Sequence, residues 1–310
     1  MSNIQVIIHC LPREIDSLDR ILDDLKRSSH FLEEQDNIVL DVSLNTSFLF
    51  TNWEKSKLDK DFFINKFNII EKKADWTFRN QFLVEDNEKC LGINDKRRNS
   101  IRSAKEDITH FMYLDLDVFF SSLNLKYLFD SLNSIKNKYS IISPELVKLW
   151  DPSWDILTNK NYLKHEYGYF KELDPYSIEQ ISLNNVFSDE VNLKQIPDIK
   201  FGGGWFNTFS SNLLKLIDIP DSLGPYGLDD TFIMQGANIM KSKGYDVSQY
   251  VLQGMVVCEN IKYSLYDLNP YKDYIHDNSF NNKGRNFKQK YRENSNKNFN
   301  TEINKLNNKL

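Results

Sequence analysis

The 310-residue sequence predicts an α/β protein with a Rossmann-like, mostly parallel central sheet flanked by helices. Three observations carry this. An apolar stretch at 4–8 is followed by Ile15, Leu18, Ile21, Leu22 and Leu25 at helical spacing, and then by a second apolar stretch at 38–44. Strand, helix and strand in that order favour parallel pairing through a crossover. A third apolar run, 111–120, carries two carboxylates two positions apart, Asp115 and Asp117. The hydrophobic share of 40% is enough for a sizeable core under such a sheet.

The elements follow in order. Residues 4–8 read as a buried strand, and 38–44 as a second strand ended by the turn residues Asn45, Thr46 and Ser47. A polar helix over 97–105 leads into the acid-bearing strand. Alternation along a strand places Asp115 and Asp117 on one face at its end. Leu123, Tyr127, Leu128, Leu132 and Ile135 mark an amphipathic helix, and 141–144 a short strand closed by Pro144. Residues 150–195 are rich in Trp, Tyr, Asn and Asp with weak periodicity, and read as loops and short helices able to cover a site. Residues 201–206 read as a glycine-cleared strand. Residues 229–243 form a helix stopped by Gly244, and 255–257 a last short strand.

The domain is expected over 1–280, with 281–310 as a basic, Asn/Lys-rich tail. Two readings of the tail stand open: a solvated, partly disordered end, or a segment touching phosphates or anionic lipid at a membrane surface. A net charge of −5 argues against general nucleic-acid binding. Cys10, Cys90 and Cys258 are widely spaced, which suggests neither disulfides nor zinc. No apolar run is long enough to span a bilayer, so a cytoplasmic protein is the expectation, peripheral to a membrane if the tail binds lipid.

Five constellations bear on chemistry. Asp115 and Asp117 repel one another unless a cation sits between them, and their hard oxygens suit Mn or Mg. Asp229 and Asp230 follow turn residues 224–228 and open a helix, where an acid serves either as first-turn charge or as a general base. Gly203, Gly204 and Trp205 suit either a sugar stacked on the indole or a β-bulge with a core tryptophan. His276 is a candidate metal ligand. Lys96, Arg97, Arg98 and Asn99 place cations where they can face phosphate.

In this order the pieces resemble the GT-A glycosyltransferases, in particular the family 2 and β-1,4-galactosyltransferase types. The Phe201-Gly202-Gly203 and Gly227-Leu228-Asp229-Asp230 segments match the spacing of the latter, and the resemblance covers about residues 3–280. It implies a GT-A fold and transfer of a sugar from a nucleotide-diphosphate donor, a UDP-sugar being favoured, to a hydroxyl of a glycan or other acceptor. An inverting hexosyl transfer in glycan or polysaccharide synthesis fits best. Under it Asp117, Asp115 and His276 hold Mn or Mg. Asp115, Asp117, Arg98, Asn99, Asn45 and His9 contact the donor, and Gly203, Gly204 and Trp205 the acceptor. Asp230 is the base and Asp229 its orienting partner. The usual acidic turn after the second strand is replaced by Ser43-Leu44-Asn45-Thr46. Two rivals remain. A haloacid-dehalogenase-type phosphatase also uses an apolar-DxD motif, but nearer the N-terminus and with a different following pair. A glycan-binding protein of the same fold without turnover is the other.

Overall fold

The computed structural model describes residues 2–47, 58–74, 78–86, 91–148, 191–199, 203–259 and 283–310. The expected class is what the chain adopts: a mixed α/β fold with a mostly parallel central sheet between two helical layers. The strands are β1 (Asn3–Cys10), β2 (Asn37–Asn45), β3 (Arg79–Glu85), β4 (His110–Tyr113), β5 (Val118–Phe120), β6 (Tyr139–Lys148), β7 (Asn192–Ile196), β8 (Thr208–Ser210) and β9 (Val247–Glu259). They pair in the order β3-β2-β1-β4-β8-β6-β9-β5, with β7 also on β9. Strands β3, β2, β1, β4, β6 and β9 run one way, and β8, β5 and β7 run against them.

The helices are α1 (Ile15–Ser29), α2 (Lys60–Lys73), α3 (Ile93–Arg102), α4 (Asn124–Ser134), α5 (Ser211–Ile217), α6 (Asp229–Ser242) and α7 (Lys283–Lys309). Alternation along β1 feeds both layers. Ile4, Val6 and Ile8 join the core under α1, α2 and α4, whereas Ile7 joins the core under α5, α6 and α7. A strand covered on both faces is apolar at nearly every position, and the one polar residue within 4–8, Gln5, is buried with its amide donating to Asp41 and Ser100 O.

Several elements differ from the sequence reading, each for a local reason. Strand β4 stops at Tyr113, so Asp115 and Asp117 lie in the turn between β4 and β5, and strand alternation does not orient them. Pro144 does not end β6. The strand passes through it with a register shift at Pro144/Glu145, where a missing N–H is tolerated. The strand expected at 201–206 is displaced: Gly203–Phe206 form a turn and the pairing segment is β8. Strand β9 is 13 residues long, well beyond the expected 255–257. Of the expected loop region, 149–190 lies outside the described residues, and Asn192–Ile196 is a strand.

The C-terminal segment is a 27-residue helix seated on the domain, which corrects the reading of a solvated tail. Phe299 and Leu306 are buried in the second core. Phe299 meets Phe232 edge-on at 6.0 Å. A Cβ at Gly236 would lie 2.9 Å from Leu306, so the glycine lets α6 and α7 approach. The apolar positions of α7 are few, and Lys and Asn between them mask its packing face in the sequence. No helix among the described residues is long and apolar enough to cross a membrane.

Candidate active site

Parallel strands leave their C-terminal ends at one edge of the sheet, where ligands of open α/β sheets bind. His9, Asn45 and the Asp115–Asp117 turn all lie at that edge, at or just after the ends of β1, β2 and β4. Asn45 is buried, donates to the carbonyl of Leu91, and has its Nδ2 3.2 Å from His9 Nε2. Its Oδ1 accepts from the amide of Ser47 at 2.9 Å, which closes the turn after β2.

Helix α3 is polar in sequence yet largely buried, and each of its three consecutive cations has its own anchor. Lys96 pairs with Asp41 beneath β2. Arg98 donates to Asp95, Ile219 O and Pro220 O at 2.7, 3.0 and 3.0 Å. Arg97, with 6% of its side chain exposed, reaches Asp229 at 2.8 Å and Asp115 at 3.4 Å. It also donates to Gly204 O at 3.0 Å and lies 4.2 Å from the ring centre of Tyr113. Gly204 leaves room for the guanidinium: a Cβ there would fall 1.9 Å from Arg97 Nη2 and displace it. One guanidinium thus ties the β4–β5 turn to the start of α6.

The turn before α6 is strained and braced. Gly227 and Leu228 both have positive φ, +89° and 63°, and the latter is a conformation that a β-carbon disfavours. Asn94 fixes the turn twice, its amide donating to Pro225 O at 3.1 Å and its side chain to Gly227 O at 3.0 Å. A cavity of about 330 Å³ opens beside it. Its wall includes Ile93 and Arg97 from α3, Asp115, Gly204, Trp205, the segment 226–231, and Arg292 from α7.

The acids of this wall differ in their partners. Asp229 is nearly fully buried and held by Arg97. Asp230 is half-buried and accepts from the amide and hydroxyl of Thr231 at 2.6 and 3.3 Å. Burial, with Asp229 beside it, pushes the Asp230 carboxyl up to about 6, against the downward pull of Arg97. Asp115 keeps 35% of its side-chain surface, and Asp115 also lines the cavity. Burial pushes its carboxyl up to about 8; Arg97 opposes this and Asp117 adds to it. Tyr113, fully buried beneath Arg97, is pushed well above its ordinary range by burial.

The Asp117 turn is clamped from α1. Arg20 Nη2 donates to Leu116 O at 2.8 Å and Val118 O at 2.9 Å, on either side of Asp117. Its guanidinium stacks 3.9 Å from the Phe119 ring centre and pairs with Asp24 at 2.9 Å. Arg20→Met is expected to lower the unfolding free energy by about 1.5–3 kcal/mol, the range for hydrogen bonds to a charged donor. A shift in the urea midpoint at constant slope measures it, and a change under about 0.5 kcal/mol would refute the clamp.

The structure brings Asp115, Gly204, Trp205, Asp229 and Asp230 to one cavity, and places Asp117, His9 and Asn45 at the same sheet edge outside its wall. Four of the expected contact residues, Arg98, Asn99, Trp205 and Gly203, are placed otherwise than the sequence reading put them. Arg98, read as a donor contact, spends its guanidinium on Asp95 and loop carbonyls, and Arg97 faces the cavity in its place. Asn99 lies on the exposed side of α3. Trp205 is 1% exposed and packs in the first core, so its ring offers no open face to a sugar. Gly203 is buried, and its carbonyl accepts from Asn207. His276 lies outside the described residues, as do Phe201 and Gly202. Tyr226 and Ile93 join the cavity wall without having been singled out in the sequence, and Arg292 comes from the basic segment for which phosphate contact is one of the two readings. Ile93 and Arg97 are four apart and so share a helix face, a signal that was available in the sequence.

No family model and no curated protein matches the sequence. Solved structures of similar backbone course include S. aureus TarS, at 12% identity and a TM-score of 0.49 over 85% of this chain and 37% of that one. TarS 1-349 in complex with UDP-GlcNAc aligns at 11% identity and a TM-score of 0.46, over 82% of this chain and 58% of that one. A mycobacterial protein aligns at 11% and 0.44, over 85% of this chain and 70% of that one. The chain therefore spans between 37% and 60% of the length of the TarS structures. What this chain does rests on its own cavity.

Proposed function

We propose that the chain is a metal-dependent glycosyltransferase that moves a sugar from a nucleotide-diphosphate sugar to a hydroxyl acceptor. The observation that carries this is that Asp115 and Asp230 line one cavity, presented by the β4–β5 turn and the start of α6, with Arg97 bonded to both segments, and that burial raises the Asp230 carboxyl above its ordinary range. A carboxyl near the working pH suits a general base.

Asp115 and Asp117 fit a hard divalent cation. Their oxygens are of the right kind, and Asp115 is pushed toward protonation by burial and by its neighbour, a cost that a cation relieves. Among the described residues no cluster of three or more His, Cys, Asp or Glu gathers, so Asp115 and Asp117 are the residues that would hold the ion. An ion held by these acids would supply positive charge to offset that developing on a diphosphate leaving group. Asp230 takes the proton of the acceptor hydroxyl as its oxygen bonds to the anomeric carbon and the bond to the diphosphate breaks. Attack from the side opposite the leaving group inverts that carbon. Asp229, held by Arg97, keeps the start of α6 in register.

A thermal-shift screen of nucleotide sugars with and without Mn tests the reading. UDP-GlcNAc and UDP, which the TarS structures name, are the first ligands to try. One ligand at about 100 times its Kd should raise Tm by about 3 °C or more, and only with Mn. No shift with any nucleotide sugar, with or without Mn, sinks the proposal.

A further inference from the structure

The cavity has one wall from the far end of the chain. Arg292 lines it together with Tyr226, Gly227 and Asp230, although it is some sixty residues from them in sequence. Its stem runs along Gly227, where a Cβ would stand 3.5 Å from Arg292 Cγ. The helix that carries it is anchored to the same turn. Ser295 is fully buried; its hydroxyl lies 3.0 Å from Tyr226 O and also contacts Leu223 O. Asn298 Nδ2 donates to Ser222 O at 2.7 Å. Arg292, Ser295 and Phe299 are three and four apart and therefore share one helix face, turned to the loop and to α6. Burial of that face fixes where Arg292 emerges.

Charge then narrows its role. The cavity holds three carboxylates, Asp115, Asp229 and Asp230, and two guanidinium groups. That of Arg97 is committed to Asp115 and Asp229. Arg292 makes no ion pair with a described residue, and its side chain is exposed at the cavity. A planar fork of donors of this kind matches phosphate oxygens.

Resting on the nucleotide-sugar reading of the cavity, we propose that Arg292 binds a phosphate group of the substrate, so that the C-terminal helix is part of the reaction site. The phosphate has two sources: the diphosphate of the donor, or a phosphate carried by the acceptor. The position of Arg292 beside the turn that presents Asp230 points to the acceptor side.

The test uses the full chain as wild type, Arg292→Gln and Arg292→Lys, with Mn throughout. UDP affinity is measured by calorimetry, and stabilisation by inorganic phosphate is measured with UDP already saturating. Loss of about tenfold or more in UDP affinity in Arg292→Gln assigns the donor diphosphate. Unchanged UDP affinity with lost phosphate stabilisation assigns an acceptor phosphate. In either case Arg292→Lys recovers part of the effect, because it keeps the charge without the fork. Unliganded Tm should be unchanged, the side chain being exposed. Wild-type protein that binds UDP, with Arg292→Gln matching it for both ligands, overturns the assignment alone. Wild-type protein that binds neither ligand, and that no other nucleoside diphosphate or nucleotide sugar stabilises with Mn, overturns the underlying reading as well.

Discussion

Asp230→Asn is expected to lower the transfer rate by about 10²–10⁴-fold while leaving nucleotide affinity within about twofold, the range for loss of a general base. The exchange is isosteric, and the amide can still accept from the Thr231 amide, which donates to Asp230 Oδ1 at 2.6 Å. The pH profile separates a base from a structural acid. With the Asp230 carboxyl raised to about 6, wild-type transfer falls as pH drops through that value, because the protonated acid cannot accept the acceptor's proton. The residual rate of Asp230→Asn should be flat across the same window. Stability runs the other way. Asp230 and Asp115 are raised in the folded chain above the ordinary carboxylate value, so between about pH 4 and 8 the folded state binds more protons than the unfolded one. The unfolding free energy of the metal-free protein therefore falls as pH rises through that window, and Mn should flatten the slope. A pH–rate profile of kcat for both proteins decides the matter, and unchanged turnover in the variant removes Asp230 from the role of base.

Much of this arrangement is legible in the sequence where periodicity and burial coincide. Ile4, Val6, Ile8 and the α1 stripe announce a strand and a helix because every apolar residue there has a single burial face to serve. The acids at 115, 117, 229 and 230 stand out because charge inside or beside an apolar run is costly unless it is used. Legibility fails where one residue is fixed by partners distant in sequence. Arg97 and Arg98 are adjacent and chemically identical, and only the fold distinguishes them. A rotation of one position on α3 turns Arg97 to Asp229, 132 positions away in the chain, and Arg98 to Ile219. Trp205 reads equally as a sugar platform or a core residue until the Gly203–Phe206 turn is seen to fold it inward. Helix α7 is hidden in the sequence because only two buried apolar residues among those described, Phe299 and Leu306, anchor a segment rich in Lys and Asn.

Arg97→Leu is expected to cost about 3–5 kcal/mol of stability, the range for removing one partner of a buried ion pair. The leucine fills much of the volume but leaves Asp229, with 5% of its side chain exposed, without its counter-charge, and Gly204 O without its donor. Asp115 loses the guanidinium that opposes the rise of its carboxyl. Arg97→Lys keeps a charge but cannot reach Asp229, Asp115 and Gly204 O together, and so falls between the two. A double-mutant cycle isolates the pair: Arg97→Leu with Asp229→Leu should be less destabilised than the sum of the single changes, since no uncompensated anion remains buried. Urea unfolding at fixed pH and salt measures each term. The same variants bear on function, because Arg97 is the only described side chain bonded to both the turn that carries Asp115 and the helix that carries Asp230. If the two halves of the cavity are held in register by that contact, the double variant should regain stability without regaining transfer. Additive single changes would show that Asp229 finds its compensation elsewhere, and that the bridge between the two acid sites does not depend on Arg97.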